Sequence, residues 1–462
     1  MTGFPRDFVW GAATSSYQIE GAAQEGGRSP SIWDAFTRRP DAVERRHHGD
    51  VACDHYHRFR EDVGLFREIG LQAYRFSVAW PRVLPDGTGA VSQAGLDFYS
   101  RLVDALLEAG IRPMATLFHW DLPLVLHRRG GWQDRASAEW FAEYAALMAR
   151  TLGDRVQDWM TINEPQVLIN KGYVEGSFAP GERQDRAASL HASHNLLRAH
   201  GRAVQAIRAE SKPGTRVGWA PVCITHAPFD PSSPADVEAA RRTMFEPDLG
   251  KGEWSLWNNS WWMDPVMTGA YPDVFDSLGA DAPQIVDGDM GLIHQPLDFV
   301  GINIYHCERI RATPSGGAEV VPLRPGEGMT LMGWDITPEA LYWGPKFLHE
   351  KYGTPMFITE NGMACHDWVS VDGEVHDPSR IDFITRYLTQ LRQAVSEGLP
   401  VQGYLYWSAL DNFEWERGYA QRFGLIHVDF ETQVRTLKDS AKWYRELIRT
   451  GGETLPSEPS RL

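Results

Sequence analysis

Phe357-Ile358-Thr359-Glu360-Asn361-Gly362 is a short apolar run that ends in a carboxylate. Met356 to Thr359 has the apolar, β-rich character of a buried strand, with Pro355 ahead of it and Gly362 behind it. An unpaired charge at the end of such a strand costs several kcal/mol to bury, so Glu360 demands a polar pocket. Trp159-Met160-Thr161-Ile162-Asn163-Glu164-Pro165 has the same form: an apolar strand, a polar residue, a glutamate, and a proline that stops the run. The two glutamates lie far apart in the chain, so their meaning depends on whether the fold brings strand ends together.

Strand-like runs alternate with amphipathic helices throughout. The predicted strands are Phe8–Thr14, Ala73–Ala79, Arg112–Phe118, Asp158–Asn163, Arg216–Ile224, Phe299–Tyr305, Met356–Thr359 and Val401–Trp407. Between them, Leu96, Tyr99, Val103, Leu106 and Leu107 fall on one helical face, with Gly110 as a stop. Trp140, Tyr144, Leu147, Met148 and Leu152 repeat the pattern before Gly153, as do Ile384, Tyr387, Leu388, Leu391 and Val395 before Gly398. Alternating β and α units predict a parallel sheet, and eight of them predict a single (β/α)8 TIM barrel with elaborated βα loops at its C-terminal face. A doubly wound open sheet is the competing architecture, but no strand is followed by GxGxxG. Residues 1–450 read as one catalytic domain, and 451–462 as a polar, disordered C-terminal tail. The long Gly- and Pro-rich stretch from Ile310 to Gly333 reads as part of a binding mouth or as a surface excursion.

Composition narrows the functional classes. The chain has 462 residues and a formal net charge of −16, which argues against a nucleic-acid partner. Cys53, Cys223, Cys307 and Cys365 form no CxxC pair; they read as reduced, buried thiols in a cytoplasmic protein. Met1 to Asp7 lacks the apolar core of a secretory signal, and no apolar run is long enough to span a membrane. His47-His48 and His55-Tyr56-His57 lack the i, i+4 spacing of a helical ligand pair, so polar and packing roles are expected rather than a metal site. The 18 tryptophans are an excess for core packing alone and suggest flat platforms for a ligand with apolar faces and hydroxyl edges, as a sugar has.

The strand ends offer Gln18 and Glu20, Arg75, His119 with Trp120, Asn163 with Glu164, Asn303 with Tyr305, Glu360, then Trp407 and, beyond it, Glu414 with Trp415. Barrel closure would aim all of them at one cavity. Two carboxylates flanked by amides, an imidazole and indoles are what glycoside hydrolysis needs: one ionised, one holding a proton. Close placement separates their protonation, because the first charge raises the pKa of the second.

These residues carry a resemblance to the β-glucosidases of family 1 of the glycoside hydrolases. Its markers are the run Phe8 to Gly21, Tyr74-Arg-Phe-Ser-Val-Ala-Trp80, His119-Trp-Asp-Leu-Pro123, Thr161-Ile-Asn-Glu-Pro165, Ile358-Thr-Glu-Asn-Gly362 and Asp411-Asn-Phe-Glu-Trp415. They occur in family order and span nearly the whole chain. The resemblance implies a retaining, exo-acting β-glycosidase that works by double displacement on β-glucosides and β-linked disaccharides, with no metal or cofactor and no nucleic-acid or membrane partner. β-Galactosidase and β-fucosidase activity, and a homo-oligomer, are compatible with it. It makes Glu360 the nucleophile and Glu164 the acid/base, with Arg75, Asn303 and Tyr305 in the catalytic set. It gives Asn163 the sugar 2-hydroxyl, and Gln18, His119, Glu414 and Trp415 the remaining hydroxyls. Trp407 becomes the floor under the ring and Trp334 an aglycone platform, with Trp120 and Phe423 also contacting substrate.

Two positions depart from the family pattern. Gln166 stands where Trp often follows Asn-Glu-Pro, which removes an aglycone-side platform, and Ile304 is the middle residue of a usual Asn-Tyr-Tyr. The alternatives are a 6-phospho-β-glucosidase, which Glu414 would disfavour by repelling a phosphate, and a non-catalytic carbohydrate-binding barrel.

Overall fold

The computed structural model describes residues 3–247 and 255–457. Eight parallel strands form the barrel: β1 (Val9–Ala13), β2 (Ala73–Ser77), β3 (Arg112–Phe118), β4 (Asp158–Asn163), β5 (Arg216–Ala220), β6 (Val300–Asn303), β7 (Met356–Asn361) and β8 (Val401–Trp407). β1 to β5 pair in chain order, β6 to β8 pair in chain order, and β1 pairs with β8. The seam between β5 and β6 is bridged just beyond β5, where Val222 pairs with Asn303 and the Cys223 N–H donates to the Asn303 carbonyl at 2.9 Å. The open-sheet alternative is thereby excluded.

The helical layer includes α1 (His55–Ile69), α2 (Gln93–Glu108), α3 (Ser137–Leu152), α4 (Arg186–Glu210), α5 (Pro234–Phe245), α6 (Ala340–Tyr352), α7 (Pro378–Ser396) and α8 (Asp439–Arg449). The face predicted for α2 needs one correction: Leu107 is 43% exposed, and Leu102 takes its place against the core. A separate apolar cluster fills the barrel interior with side chains such as Ala13, Ala73, Met114, Met160, Phe357 and Leu405. The tryptophan surplus is mainly structural. Trp10, Trp33, Trp80, Trp132, Trp159, Trp219, Trp261 and Trp262 are fully buried, because a barrel with a complete helical shell has room for many large rings.

Several predicted boundaries shift: β1, β2, β5 and β6 are shorter than the expected Phe8–Thr14, Ala73–Ala79, Arg216–Ile224 and Phe299–Tyr305. β7 runs two residues past Thr359, so Glu360 lies within the strand rather than after it. Ile310 to Gly333 is not structureless: Cys307–Ala312 pairs in parallel with Thr225–Pro228 and antiparallel with Ala318–Val321, making a small sheet outside the barrel. Residues 451–457, expected as part of a disordered tail, pack against the fold. The Phe4 N–H donates to the Gly451 carbonyl at 2.9 Å, Arg392 donates to the Leu455 carbonyl, and Leu455 is buried in the core, so apolar burial holds 451–457 down. Residues 458–462 lie outside the described residues.

Candidate active site

Strict strand alternation would not deliver Glu360 to the barrel interior. Phe357 belongs to the interior cluster and Ile358 to the core outside it, so a regular strand would turn Thr359 inward and Glu360 outward. The register of β7 slips between Ile358 and Glu360 against β6, and again between Ile358 and Asn361 against β8. Such an irregularity re-aims side chains, and here both Thr359 and Glu360 reach the interior. The β4–β5 register slips likewise between Met160 and Asn163.

Glu360 is held by two donors. Arg75 Nη1 lies 2.6 Å from Oε1, and Tyr305 donates its hydroxyl to Oε2 at 2.8 Å. Arg75 is itself fixed by Thr116 Oγ1 at 3.0 Å, the Thr359 carbonyl at 3.3 Å and Asn163 Oδ1 at 2.6 Å. A planar guanidinium with so many partners has little freedom to turn.

Glu164 follows β4 with φ 42° and ψ 66°, a left-handed conformation. Such a backbone costs about 1–3 kcal/mol in a non-glycine residue and recurs at functional sites. Pro165 favours the departure by disfavouring right-handed helix at the residue before it. The Glu164 N–H donates to the Ala220 carbonyl at 2.8 Å, and Oε1 accepts from Asn303 Nδ2 at 2.7 Å. The Asn303 amide is oriented by Thr359 Oγ1, which donates to its oxygen at 2.7 Å, and its nitrogen also lies 3.1 Å from Asn163 Oδ1. An unbroken chain of polar contacts therefore runs from Glu164 through Asn303, Asn163 and Arg75 to Glu360.

The two carboxyls differ in what opposes burial. Burial pushes Glu164 up, the charge of Glu360 pushes it further, and it reaches about 8 against only partial relief from Asn303 and Arg75. Burial also raises Glu360, but the adjacent Arg75 cation and the Tyr305 hydroxyl pull it back. The single charge of the pair therefore rests on Glu360 and the proton on Glu164. His119 is kept neutral by burial and by the Arg75 charge; its Nε2 sits 3.1 Å from Asn163 Nδ2.

Gln18 donates to Asn412 Oδ1 at 3.0 Å, the Phe413 carbonyl at 2.9 Å and Glu414 Oε2 at 3.4 Å, which sets the Glu414 side chain. Among the described residues no cation pairs with Glu414, and burial followed by Glu416 raises it well above the usual carboxylate range. Trp120 donates its indole N–H to the Asn163 carbonyl at 2.9 Å, so one edge braces the β4 end. Trp120 and Trp415 both adopt positive φ, at 74° and 45°. Trp407 stacks near His119, while Trp334 packs on Tyr305 and Phe423. A cavity of 1190 Å³ is lined by both glutamates and by His119, Trp120, Tyr305, Trp334, Trp407, Glu414, Trp415 and Phe423. Glu20 turns elsewhere, to Arg82 at 2.9 Å and the Tyr99 hydroxyl at 2.5 Å, and braces the first βα unit.

Sequence reasoning missed Thr116 and Thr359, which lock Arg75 and Asn303; a threonine on a strand carries no signal for that. It also missed the outer wall of the cavity, including Val222, His226 and Glu308, because the small outer sheet was not foreseen. Gln166 is fully buried and exchanges hydrogen bonds with the Val222 backbone at 3.0 and 3.2 Å, so it holds the segment beyond β5 and is not an open gap. Of the histidines set aside as metal ligands, His55 pairs with Asp62 and His57 with Asp54 and Glu25. Among the described residues no group of three or more His, Cys, Asp or Glu is arranged to hold a metal ion, and no helix is long and apolar enough to cross a membrane.

A (β/α)8 barrel whose strand ends bring an ionised and a protonated glutamate into one aromatic-walled cavity is a glycoside hydrolase in class. The chain belongs to glycosyl hydrolase family 1, whose profile matches residues 1–453. It is 43% identical to beta-glucosidase A of Thermotoga maritima over 97% of this chain and 98% of that one. It is 42% identical to a bifunctional beta-D-glucosidase/beta-D-fucosidase of Bifidobacterium breve, over 96% of this chain and 98% of the relative. The solved Thermotoga maritima beta-glucosidase in complex with glucoimidazole superposes with a TM-score of 0.88 at 42% identity, covering 98% of this chain and 100% of that one.

Proposed function

We propose that the chain is a retaining, exo-acting β-glycosidase that releases terminal β-D-glucosyl residues, and also fucosyl or galactosyl residues, through a covalent glycosyl-enzyme. The observation that carries the mechanism is the unequal treatment of the two acids: Arg75 sits at 2.6 Å on Glu360, and Glu164 has only an amide partner. Glu360 attacks the anomeric carbon while Glu164 protonates the departing oxygen. Esterification removes the charge of Glu360, the pKa of Glu164 falls, and Glu164 then takes a proton from the incoming water. Neither step calls for a metal or cofactor.

In this reading Asn163 meets the 2-hydroxyl, and Gln18, His119, Glu414 and Trp415 meet the others. Trp407 underlies the ring with Trp120 and Phe423 beside it, and Trp334 faces the aglycone. Small β-glucosides and β-linked disaccharides are the partners, and the four buried free cysteines fit a cytoplasmic protein. Glu414, buried with no cation paired to it among the described residues, offers a 6-phosphate no counter-charge and supports a free 6-hydroxyl. The test is proton NMR of aryl β-glucoside hydrolysis before mutarotation: β-glucose first is expected, and α-glucose first overturns the double displacement.

A further inference from the structure

The cavity is larger than one sugar needs and lies at or above the upper end of the range of about 300–1,000 Å³ typical of ligand sites. Its outer part, toward the small sheet of Cys307–Ala312 and its partners, is where the leaving group must sit if the proposed function is right. One wall is aromatic: His306 and Trp334 stack at 5.9 Å with 22° between planes. Glu308 stands on the adjoining strand and also lines the cavity.

The charges of the described residues in this outer part do not balance. Glu319 is paired with Arg311 at 3.1 Å, and Glu246 with Arg242 at 3.1 Å. Glu416 is relieved by Lys171 and Arg417. Among the described residues Glu308 pairs with His226 alone, at 3.6 Å. His226 is held neutral, because burial lowers it to about 4. Its other ring nitrogen meets Thr243 Oγ1 at 2.8 Å. Burial, and then the charge of Asp335, raise Glu308 above the usual carboxylate value. Among the described residues Glu308 is therefore an uncompensated carboxylate beside an aromatic wall, one residue beyond Cys307 and three beyond Tyr305.

We infer that the outer chamber selects β-glycosides whose aglycone carries a positive charge, such as an amine or quaternary ammonium, with Glu308 as the counter-charge and Trp334 as the face on which the cation rests. Both contacts act on the same group: carboxylate attraction through solvent, and cation–π attraction to the indole. Anionic aglycones are disfavoured by the same charge.

The inference rests on the proposed function, and one experiment separates the two. Three phenyl β-glucosides are compared, carrying on a para-ethyl spacer a trimethylammonium, a neutral tert-butyl or a carboxylate group, so that leaving-group acidity is matched. The kcat/KM of each is measured at neutral pH and low salt for the wild type and for Glu308→Gln. The cationic substrate should exceed the neutral one by about fivefold, the size of a partly exposed charge pair, and the anionic one should fall below it. Glu308→Gln should bring the cationic-to-neutral ratio most of the way to unity. The ratio is taken within each protein, so changes in folding or overall rate cancel. Equal kcat/KM for all three in the wild type, or a cation preference that survives in Glu308→Gln, overturns the inference. No turnover of the neutral glucoside refutes the proposed function instead.

Discussion

Replacing Glu164 by Gln probes the division of labour between the two acids. The change keeps the shape and an oxygen for Asn303 Nδ2, now 2.7 Å from Oε1, but removes the proton that Glu164 holds up to a pKa of about 8. At pH 7 a group with that pKa is protonated in roughly nine of ten molecules, so the wild type has its acid in hand. For cellobiose, whose leaving group needs a proton, kcat/KM should fall by about 10²–10⁴-fold, the usual worth of general acid catalysis. For 2,4-dinitrophenyl β-glucoside, which leaves unaided, kcat/KM should fall by less than about tenfold, since that constant reports the first step. Its kcat should still drop steeply, because the base for the water step is gone, and KM should drop with it as the glycosyl-enzyme accumulates. The pH profile supplies an independent check. The basic limb of kcat/KM near pH 8 in the wild type records loss of the Glu164 proton, and it should be absent in the variant. Equal losses on the two substrates, or a basic limb that persists in Glu164→Gln, would refute the assignment of the proton.

Glu360→Gln should abolish turnover of cellobiose and of the dinitrophenyl glucoside alike, because no leaving group compensates for a missing nucleophile; steady-state assays on both decide it. Tyr305→Phe removes a donor that favours the charged form of Glu360, so the acid limb of kcat/KM should move to higher pH; a limb that stays or moves down contradicts the contact at 2.8 Å. Because the folded state holds the Glu164 proton up to about 8 and the unfolded chain only to about 4.5, this group favours folding at low pH and loses that contribution as pH rises through this window. Between pH 5 and 8 the Tm of Glu164→Gln should therefore decline less than that of the wild type in calorimetry. Lys438 lies fully buried between Asp367 and Asp411, 2.6 Å from each, so Lys438→Met should cost about 3 kcal/mol in urea unfolding by taking a shared cation from two carboxylates and leaving them Arg380 and Arg422 alone.

The barrel was legible because its elements obey local rules. β3, β4 and β8 have the ends read from the sequence, and the faces of α3 and α7 follow their apolar spacing. Leu107 failed because a stripe read by spacing has edges, and a residue at the edge can face water as easily as core. The fully buried tryptophans show a different limit: composition records how many rings there are and nothing of where they lie. The outer sheet escaped notice because Cys307–Ala312 and Ala318–Val321 alternate with charged residues and sit inside a stretch whose glycines and prolines read as loop.

The site shows why motif and period give different kinds of information. Periodicity alone would send Glu360 toward the helices, since Phe357 faces the interior and alternation then turns every second residue away. Only the slip of register beside β6 and β8 returns it, and that slip is a property of three strands together. At Glu164 the work is done by one residue's backbone, which leaves the strand in a left-handed turn before Pro165. Two different local distortions thus bring two glutamates into one cavity, and each puts the carboxylate beside a partner from another strand: Arg75 of β2 for Glu360, Asn303 of β6 for Glu164. A cation on one side and an amide on the other then settle which acid holds the proton. That choice is the chemical content of the site, and it resides in pairings between strands that no single stretch of the chain contains.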